Sequence, residues 1–266
     1  MLNTIKKFIR NKFRFNTKSY PIKIDAKNHI MQEGHTTDFS IPGYKATLNE
    51  LFVLFQTDKA SIYQNVVLDK EKNKFRRALM SGHNYGPFYE KYLKQKKDEV
   101  KNIIEIGSWE GSGLASLYFY FRNAVIYGLD ITFRFNNIYA DRVKRIICDQ
   151  TKSDEIKNFI KKHELNGKID VVIDDGLHKD EGILTSFNEI FSNMSTGGIY
   201  FVEDLAKEMA PKSYDFFMKL GEDKKNDING LISQNVLSVV DKVDIFKSER
   251  EQSNSFQMYL IMISKK

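Results

Sequence analysis

At 266 residues, with 41% hydrophobic and 13% aromatic side chains, the chain can bury a full core, which excludes a disordered protein and is most simply met by one α/β domain with additions. The single cysteine, Cys148, excludes an internal disulfide framework, a cysteine-built zinc site and an iron–sulfur cluster, and it fits a reducing cytoplasm. The net charge of +6 is confined to one end: residues 1–30 hold eight Lys or Arg against the acid Asp25, leaving 33 basic and 34 acidic residues beyond, so no basic groove for nucleic acid is expected across the body.

Residues 1–45 read as a basic extension broken by Pro21 and Pro42. Phe8, Ile9, Phe13 and Phe15 lie among its cations, a pattern that suits an anionic membrane surface or a polyanion, although a solubilising or docking tail explains it as well. "MLNTIKKFIRNKFRF" lacks the sustained apolar segment of a secretory signal, and no apolar run reaches the ~18 residues that span a bilayer. Residues 46–100 read as a mostly helical lid or substrate region, with helices over "TLNELFVLFQ", "NKFRRALMSG" and "GPFYEKYLKQKKDEV".

From Lys101, strands alternate with helices. The strands are "NIIEIG", "AVIYGLD", "VKRIICD", "IDVVIDD" and "GGIYFVED", with helices near 112–122, 153–164 and 180–193. Two more strand-like segments, "VLSVVDKVDIFKS" and "FQMYLIMISKK", flank the polar turn "EREQSNS". The alternation implies parallel strands with right-handed crossovers, and the terminal pair implies a hairpin that sets one strand antiparallel. Residues 101–266 are therefore expected to form a doubly wound, mostly parallel, seven-stranded Rossmann-like sheet ending in an antiparallel β-hairpin.

The first strand and turn, "NIIEIGSWEGSG", place Glu105 before glycines at 107, 111 and 113. A dinucleotide turn would be spaced G-x-G-x-x-G, yet two residues after Gly107 stands Trp109, too bulky for the approach of a pyrophosphate. A phosphate loop needs Lys and then Ser or Thr after its last glycine, and Gly113 is followed by Leu114. The pattern resembles the first motif of class I S-adenosylmethionine-dependent methyltransferases, with an ordinary tight strand–turn–helix as the alternative. The resemblance implies S-adenosylmethionine as cofactor, with Glu105 near its methionine part, Gly107, Ser108 and Gly111 in the binding turn, Asp130 on both ribose hydroxyls and Ile131 in the same site.

Ligands of such sheets lie beyond the carboxyl ends of the strands. Those ends carry Glu105, Asp130, Asp149, Asp174, Asp175, Glu203 and Asp204, and so many converging carboxylates call for cations. A divalent ion, Mg²⁺ or Mn²⁺, suits the doublets Asp174-Asp175 and Glu203-Asp204 on neighbouring strands. The alternative is that one acid of each pair caps the following helix and the other is solvated.

"IDVVIDDGLHKDEG" and "GGIYFVEDL" closely resemble the D-D-x-x-H and E-D motifs of metal-dependent sugar O-methyltransferases, the branch that includes enzymes acting on macrolide deoxysugars and cephalosporin hydroxylase-like proteins. "FQTDKAS", with Thr57, Asp58 and Lys59, and "SGHNYGPFYEKYL", with His83, Tyr85 and Tyr89, resemble the signature that precedes the cofactor domain in that branch. "CDQ" resembles its third-strand motif, which implies Asp149 and Gln150 near the adenine. The resemblance spans roughly residues 50–205. It implies Asp175, Glu203 and Asp204 as metal ligands, His178 as general base beside catalytic Asp175, and Asp174, Thr57 and Lys59 on the cofactor side. Leu177 departs from the branch, which commonly has serine there.

The implied reaction is methyl transfer to a sugar hydroxyl of a nucleotide-activated hexose or heptose, a surface polysaccharide or a natural-product glycan, by a protein expected to be a homo-oligomer. His83, Tyr85 and Tyr214 are candidate acceptor contacts. In the 205–230 segment Lys207, Lys212 and Lys219 suit an anionic acceptor or a solvated helix face. Other readings are a methyltransferase of RNA or of a catechol-like diol, and a non-methyltransferase relative such as an iron hydroxylase. The iron site needs two histidines, and His178 alone stands at the rim.

Overall fold

The computed structural model describes residues 22–24, 29–32, 35–38, 46–69, 74–133, 138–222, 230–248, 250 and 257–266. Three short strands, β1 (Ile22–Ile24), β2 (His29–Gln32) and β3 (His35–Asp38), precede helix α1 (Leu48–Leu54). The hairpin β4 (Ile62–Asp69) and β5 (Lys74–Ser81) leads into α2 (Gly86–Leu93). Then follow β6 (Asn102–Ile106), α3 (Ser112–Tyr120), β7 (Val125–Asp130), β8 (Ile138–Tyr139), β9 (Val143–Ile147), α4 (Ser153–Lys162), β10 (Ile169–Asp174), α5 (Asp180–Phe191), β11 (Met194–Leu205) and α6 (Pro211–Gly221). A short α7 (Gln234–Ser238) precedes β12 (Val240–Lys247) and β13 (Tyr259–Lys265).

Seven of these strands form the central sheet, in the order β12-β13-β11-β10-β6-β7-β9. The strands β9, β7, β6, β10 and β11 run parallel, and β13 is antiparallel to both β11 and β12. The expected doubly wound sheet with its terminal hairpin is thus observed. Its central strands are near-continuous apolar runs because both faces are covered. Alternate residues serve alternate faces. Ile104, Val172, Tyr200 and Val202 join Phe187 and Phe191 of α5 and Phe217 of α6. Ile103, Val171, Ile173 and Phe201 join Leu114 and Leu117 of α3, Leu48 and Phe52 of α1, and Tyr89 of α2. Helix α3 is buried almost all round, so its sequence, "SGLASLYFY", carries no polar stripe. Helix α1 starts on a capping box: Thr47 Oγ1 accepts from the Glu50 N–H at 3.2 Å, and Glu50 Oε2 accepts from the Thr47 N–H at 2.7 Å.

One expectation needs correction. "NKFRRALMSG" is not a helix: residues 74–81 are strand β5, paired from Ile62↔Ser81 to Asp69↔Lys74. Phe75, Ala78 and Leu79 fall at a helical spacing, but a β-branched partner strand supplies backbone hydrogen bonds that override so short a periodicity. The extension also contains structure. β1 pairs in parallel with β8, giving a second sheet of order β3-β2-β1-β8. Residues 1–21, which carry most of the basic tail, lie outside the described residues, as do 251–256 of the polar turn.

Candidate active site

The carboxyl ends of β6, β7, β9 and β10, together with the Gln56–Lys59 loop after α1, line a cavity of about 840 Å³. Glu105, Gly107, Ser108, Asp130, Ile131, Asp149, Gln150, Asp175, Thr57 and Lys59 all line it, so most of the cofactor residues expected from the sequence converge. Gly107, at φ +79°, sits where a Cβ would lie 2.1 Å from the Asp175 carbonyl oxygen, so the crossing of two strand ends demands glycine there. A Cβ on Gly113 would lie 2.0 Å from Glu105 Oε1, so this glycine makes room for the carboxyl group. Gly111 starts α3 in the left-handed conformation.

Glu105 is 2% exposed, and its Oε2 has no hydrogen-bond partner among the described residues. Burial, partly offset by Lys59, pushes its carboxyl up to about 7. An orphaned buried carboxylate facing a cavity marks a place for a cationic group. Asp130, at the end of β7, accepts from the Trp109 N–H at 2.9 Å and the Thr132 N–H at 3.1 Å. Asp149 accepts from the Thr151 N–H and hydroxyl at 3.0 and 2.7 Å.

Asp174 and Asp175 part company. Asp174, expected on the cofactor side, is not among the cavity-lining residues. It is 2% exposed and accepts from Ser186 Oγ at 2.5 Å, Tyr200 OH at 2.9 Å and Gln150 Nε2 at 3.1 Å. The alternation of the strand turns it toward the α5 layer, where it holds β10 to its neighbours. Gln150 is likewise committed, since its Oε1 accepts from the Leu177 N–H at 2.6 Å and so fixes the turn of "DDGLH". Asp175 faces the other way, pairing with the Lys59 ammonium and lying 3.5 Å from His178 Nε2. Burial raises its pKa, but Lys59 and His178 outweigh burial and hold it below the ordinary value.

The β11 end supplies Glu203 and Asp204. Glu203 Oε2 takes the Lys59 ammonium at 2.5 Å, and its Oε1 accepts from the Tyr89 hydroxyl. Asp204 Oδ1 accepts from Tyr85 OH at 2.7 Å and lies 3.3 Å from His83 Nδ1. Burial and the adjacent acids hold both phenols well above their ordinary pKa, so they remain donors. Among the described residues, Asp175, His178 and Asp204 each offer a ligand atom, all within 4.8 Å of one another. Trp109, His178 and Asp204 have φ of +41°, +54° and +52°, backbone strain that aims side chains at the rim and costs about 1 kcal/mol or more apiece.

Sequence reasoning missed a second network. His83 is 1% exposed and burial lowers its pKa to about 4, so it stays neutral. Arg250 donates to its Nε2 at 2.8 Å, which leaves the ring hydrogen on Nδ1, 2.9 Å from Ser248 Oγ. Arg250 also donates to Tyr63 OH at 3.2 Å and lies 3.5 Å from Asp58. Ser248 and Arg250 reach the site through the pairing of β12 with β13, which no local motif announces. Tyr214, a candidate acceptor contact, packs edge-on against Tyr259, with ring centroids 5.7 Å apart, and does not line the cavity.

Over 83% of the chain the structure is similar to the MycE methyltransferase from the mycinamycin pathway, solved with Mg, SAH and mycinamycin VI, with a TM-score of 0.57, 18% identity and 54% of that chain covered. The likeness is one of fold, a Rossmann-like methyltransferase sheet. In sequence, 130 residues are 30% identical to demethylmacrocin O-methyltransferase of Streptomyces fradiae, covering 46% of this chain and 32% of that protein. A further 136-residue match, also 30% identical, is to 8-demethyl-8-alpha-L-rhamnosyl tetracenomycin-C 2'-O-methyltransferase of Streptomyces olivaceus, covering 48% of this chain and 35% of the relative. Each match thus spans about a third of the relative's length. No family model matches the chain. Among the described residues no helix is long and apolar enough to cross a membrane.

Proposed function

We propose that the protein is an S-adenosylmethionine-dependent O-methyltransferase that methylates a sugar hydroxyl of a glycoside with help from a divalent metal ion. The observation that carries the reading is a shared border: Glu105, an orphaned buried carboxylate, the strand-end acid Asp130 and Asp175 line the cavity, and Asp175 also belongs to the cluster with His178 and Asp204. The residues fit both absent groups. Glu105 suits an ammonium, Asp130 suits ribose hydroxyls, and a mainly carboxylate donor set suits Mg²⁺ or Mn²⁺. The names of the relatives describe methyl transfer to sugars already carried by a natural product, which favours a glycoside over a nucleotide sugar or polysaccharide as acceptor.

When bound, S-adenosylmethionine would supply an electrophilic methyl group, and an ion held by Asp175, Asp204 and Glu203 would polarise the acceptor hydroxyl. His178 takes the hydroxyl proton on an imidazole nitrogen as the oxygen–carbon bond forms and the carbon–sulfur bond breaks. Asp175, 3.5 Å from Nε2, orients the ring. The bent backbone at His178 and Asp204 fixes their directions before substrate arrives. The test is transfer of a labelled methyl group to a panel of glycosides. Label should appear in the acceptor, vanish in EDTA and return with Mg²⁺ or Mn²⁺. His178→Ala should slow turnover by about a hundredfold. Full activity in EDTA would refute the metal role, and an unchanged rate in His178→Ala would move the base elsewhere.

A further inference from the structure

We infer that Lys59 is the resident cation of the acid centre, and that its ammonium must give up at least one of its two carboxylates for a divalent ion to load. The inference rests on the metal reading of the site. Lys59 is 3% exposed, and its Nζ bridges Asp175 Oδ2 and Glu203 Oε2. It therefore sits on carboxylates from two neighbouring strand ends, the same pair of ends that would ligate the ion.

The bridge is built in. The Lys59 carbonyl accepts from the Tyr85 N–H at 2.9 Å, and its own N–H lies 3.3 Å from Thr57 Oγ1. Gly82 crosses the loop so closely that a Cβ there would lie 1.9 Å from the Ala60 carbonyl oxygen, which fixes the loop against the β5–α2 connection. The far oxygen of Glu203 is held by the Tyr89 hydroxyl. Both Glu203 oxygens are thereby engaged, and Glu203 falls outside the group of Asp175, His178 and Asp204 whose ligand atoms lie within 4.8 Å of one another.

A dication placed on Asp175 shares that carboxylate with an ammonium. Two cations on one partly buried carboxylate repel each other. Lys59 thus compensates the acid centre before an ion binds and at the same time weakens its hold on the ion, as exchange of the ion requires. Removing the charge while keeping the chain length separates the two effects.

Mn²⁺ binding to the full-length wild type and to Lys59→Met, each freed of metal with EDTA and dialysed, is to be measured by calorimetry and by the rise in melting temperature. Lys59→Met should bind Mn²⁺ at least tenfold more tightly, melt lower than wild type without the ion, and gain more from it. Affinity that is unchanged or weaker in a folded Lys59→Met would overturn the inference and make Lys59 a positioning residue for the ligands. Binding by Lys59→Met but not by wild type would support the inference while refuting the metal reading of the native site, and binding by neither would refute both. If Lys59→Met folds only in the presence of Mn²⁺, and not in Na⁺ at equal ionic strength, the inference stands; failure to fold in both would overturn it.

Discussion

Asp174 and Asp175 are consecutive, chemically identical and at the end of one strand, yet their partners differ in kind. Asp174 is enclosed by neutral donors: two hydroxyls and an amide. Asp175 meets a buried ammonium and an imidazole at the edge of a cavity. Neutral donors around a buried acid tie elements together, because each hydrogen bond satisfies a group that water has left. Charged and titratable partners beside an open cavity keep an acid ionised and available to a ligand. The first acid ties the sheet to its neighbours, and the second is the one we propose for the chemistry.

The contrast breaks most readily by exchanging each acid for its amide. Asp175→Asn should lower methyl transfer per folded molecule by about a hundredfold or more, while Glu203 still partners the Lys59 ammonium. Asp174→Asn should do the reverse, costing about 2 kcal/mol in denaturant unfolding while turnover per folded molecule stays within severalfold. Equal losses of turnover in the two variants would dissolve the distinction.

A smaller effect sharpens the cofactor half of the comparison. Burial pushes the Glu105 carboxyl from 4.5 up to about 7, so in the free protein it holds its proton below that pH. Because the folded pKa lies above the unfolded one, stability should fall as pH rises between 4.5 and 7 and then level off. Binding a cationic amino group favours the ionised form, so affinity for S-adenosylhomocysteine should weaken by up to about tenfold per pH unit below 7. Calorimetry across that range checks this, and Glu105→Gln should flatten the profile; a flat profile in the wild type would show that Glu105 does not face the amino group. The smallest effect lies away from the site. Thr47→Ala removes the capping box of α1 and should cost about 1 kcal/mol with turnover unchanged, read by denaturant unfolding beside the activity assay.

The contrast also shows what was legible in the sequence. The apolar runs of β6, β7, β10 and β11 were legible because strands covered on both faces leave a continuous signal. The acids at their ends were legible because strand order places carboxyl ends on one edge. What a doublet cannot announce is which acid turns in, since that depends on the register of β10 against β6 and β11. The hairpin of β4 and β5 was hidden because Phe75, Ala78 and Leu79 imitate a helical stripe, and strand pairing is decided by a partner elsewhere in the chain. Arg250 was hidden for the same reason: 167 residues separate it from His83, and β12 alone carries it there.

The central claim is that the cavity between Glu105, Asp130 and Asp175 holds the methyl donor. Titration of S-adenosylhomocysteine into wild type and into Asp130→Ala tests it most directly. The account predicts saturable binding to the wild type that weakens about tenfold or more, roughly 1.4 kcal/mol, in Asp130→Ala. Absence of binding to the wild type, or equal affinity in the two proteins, would contradict it.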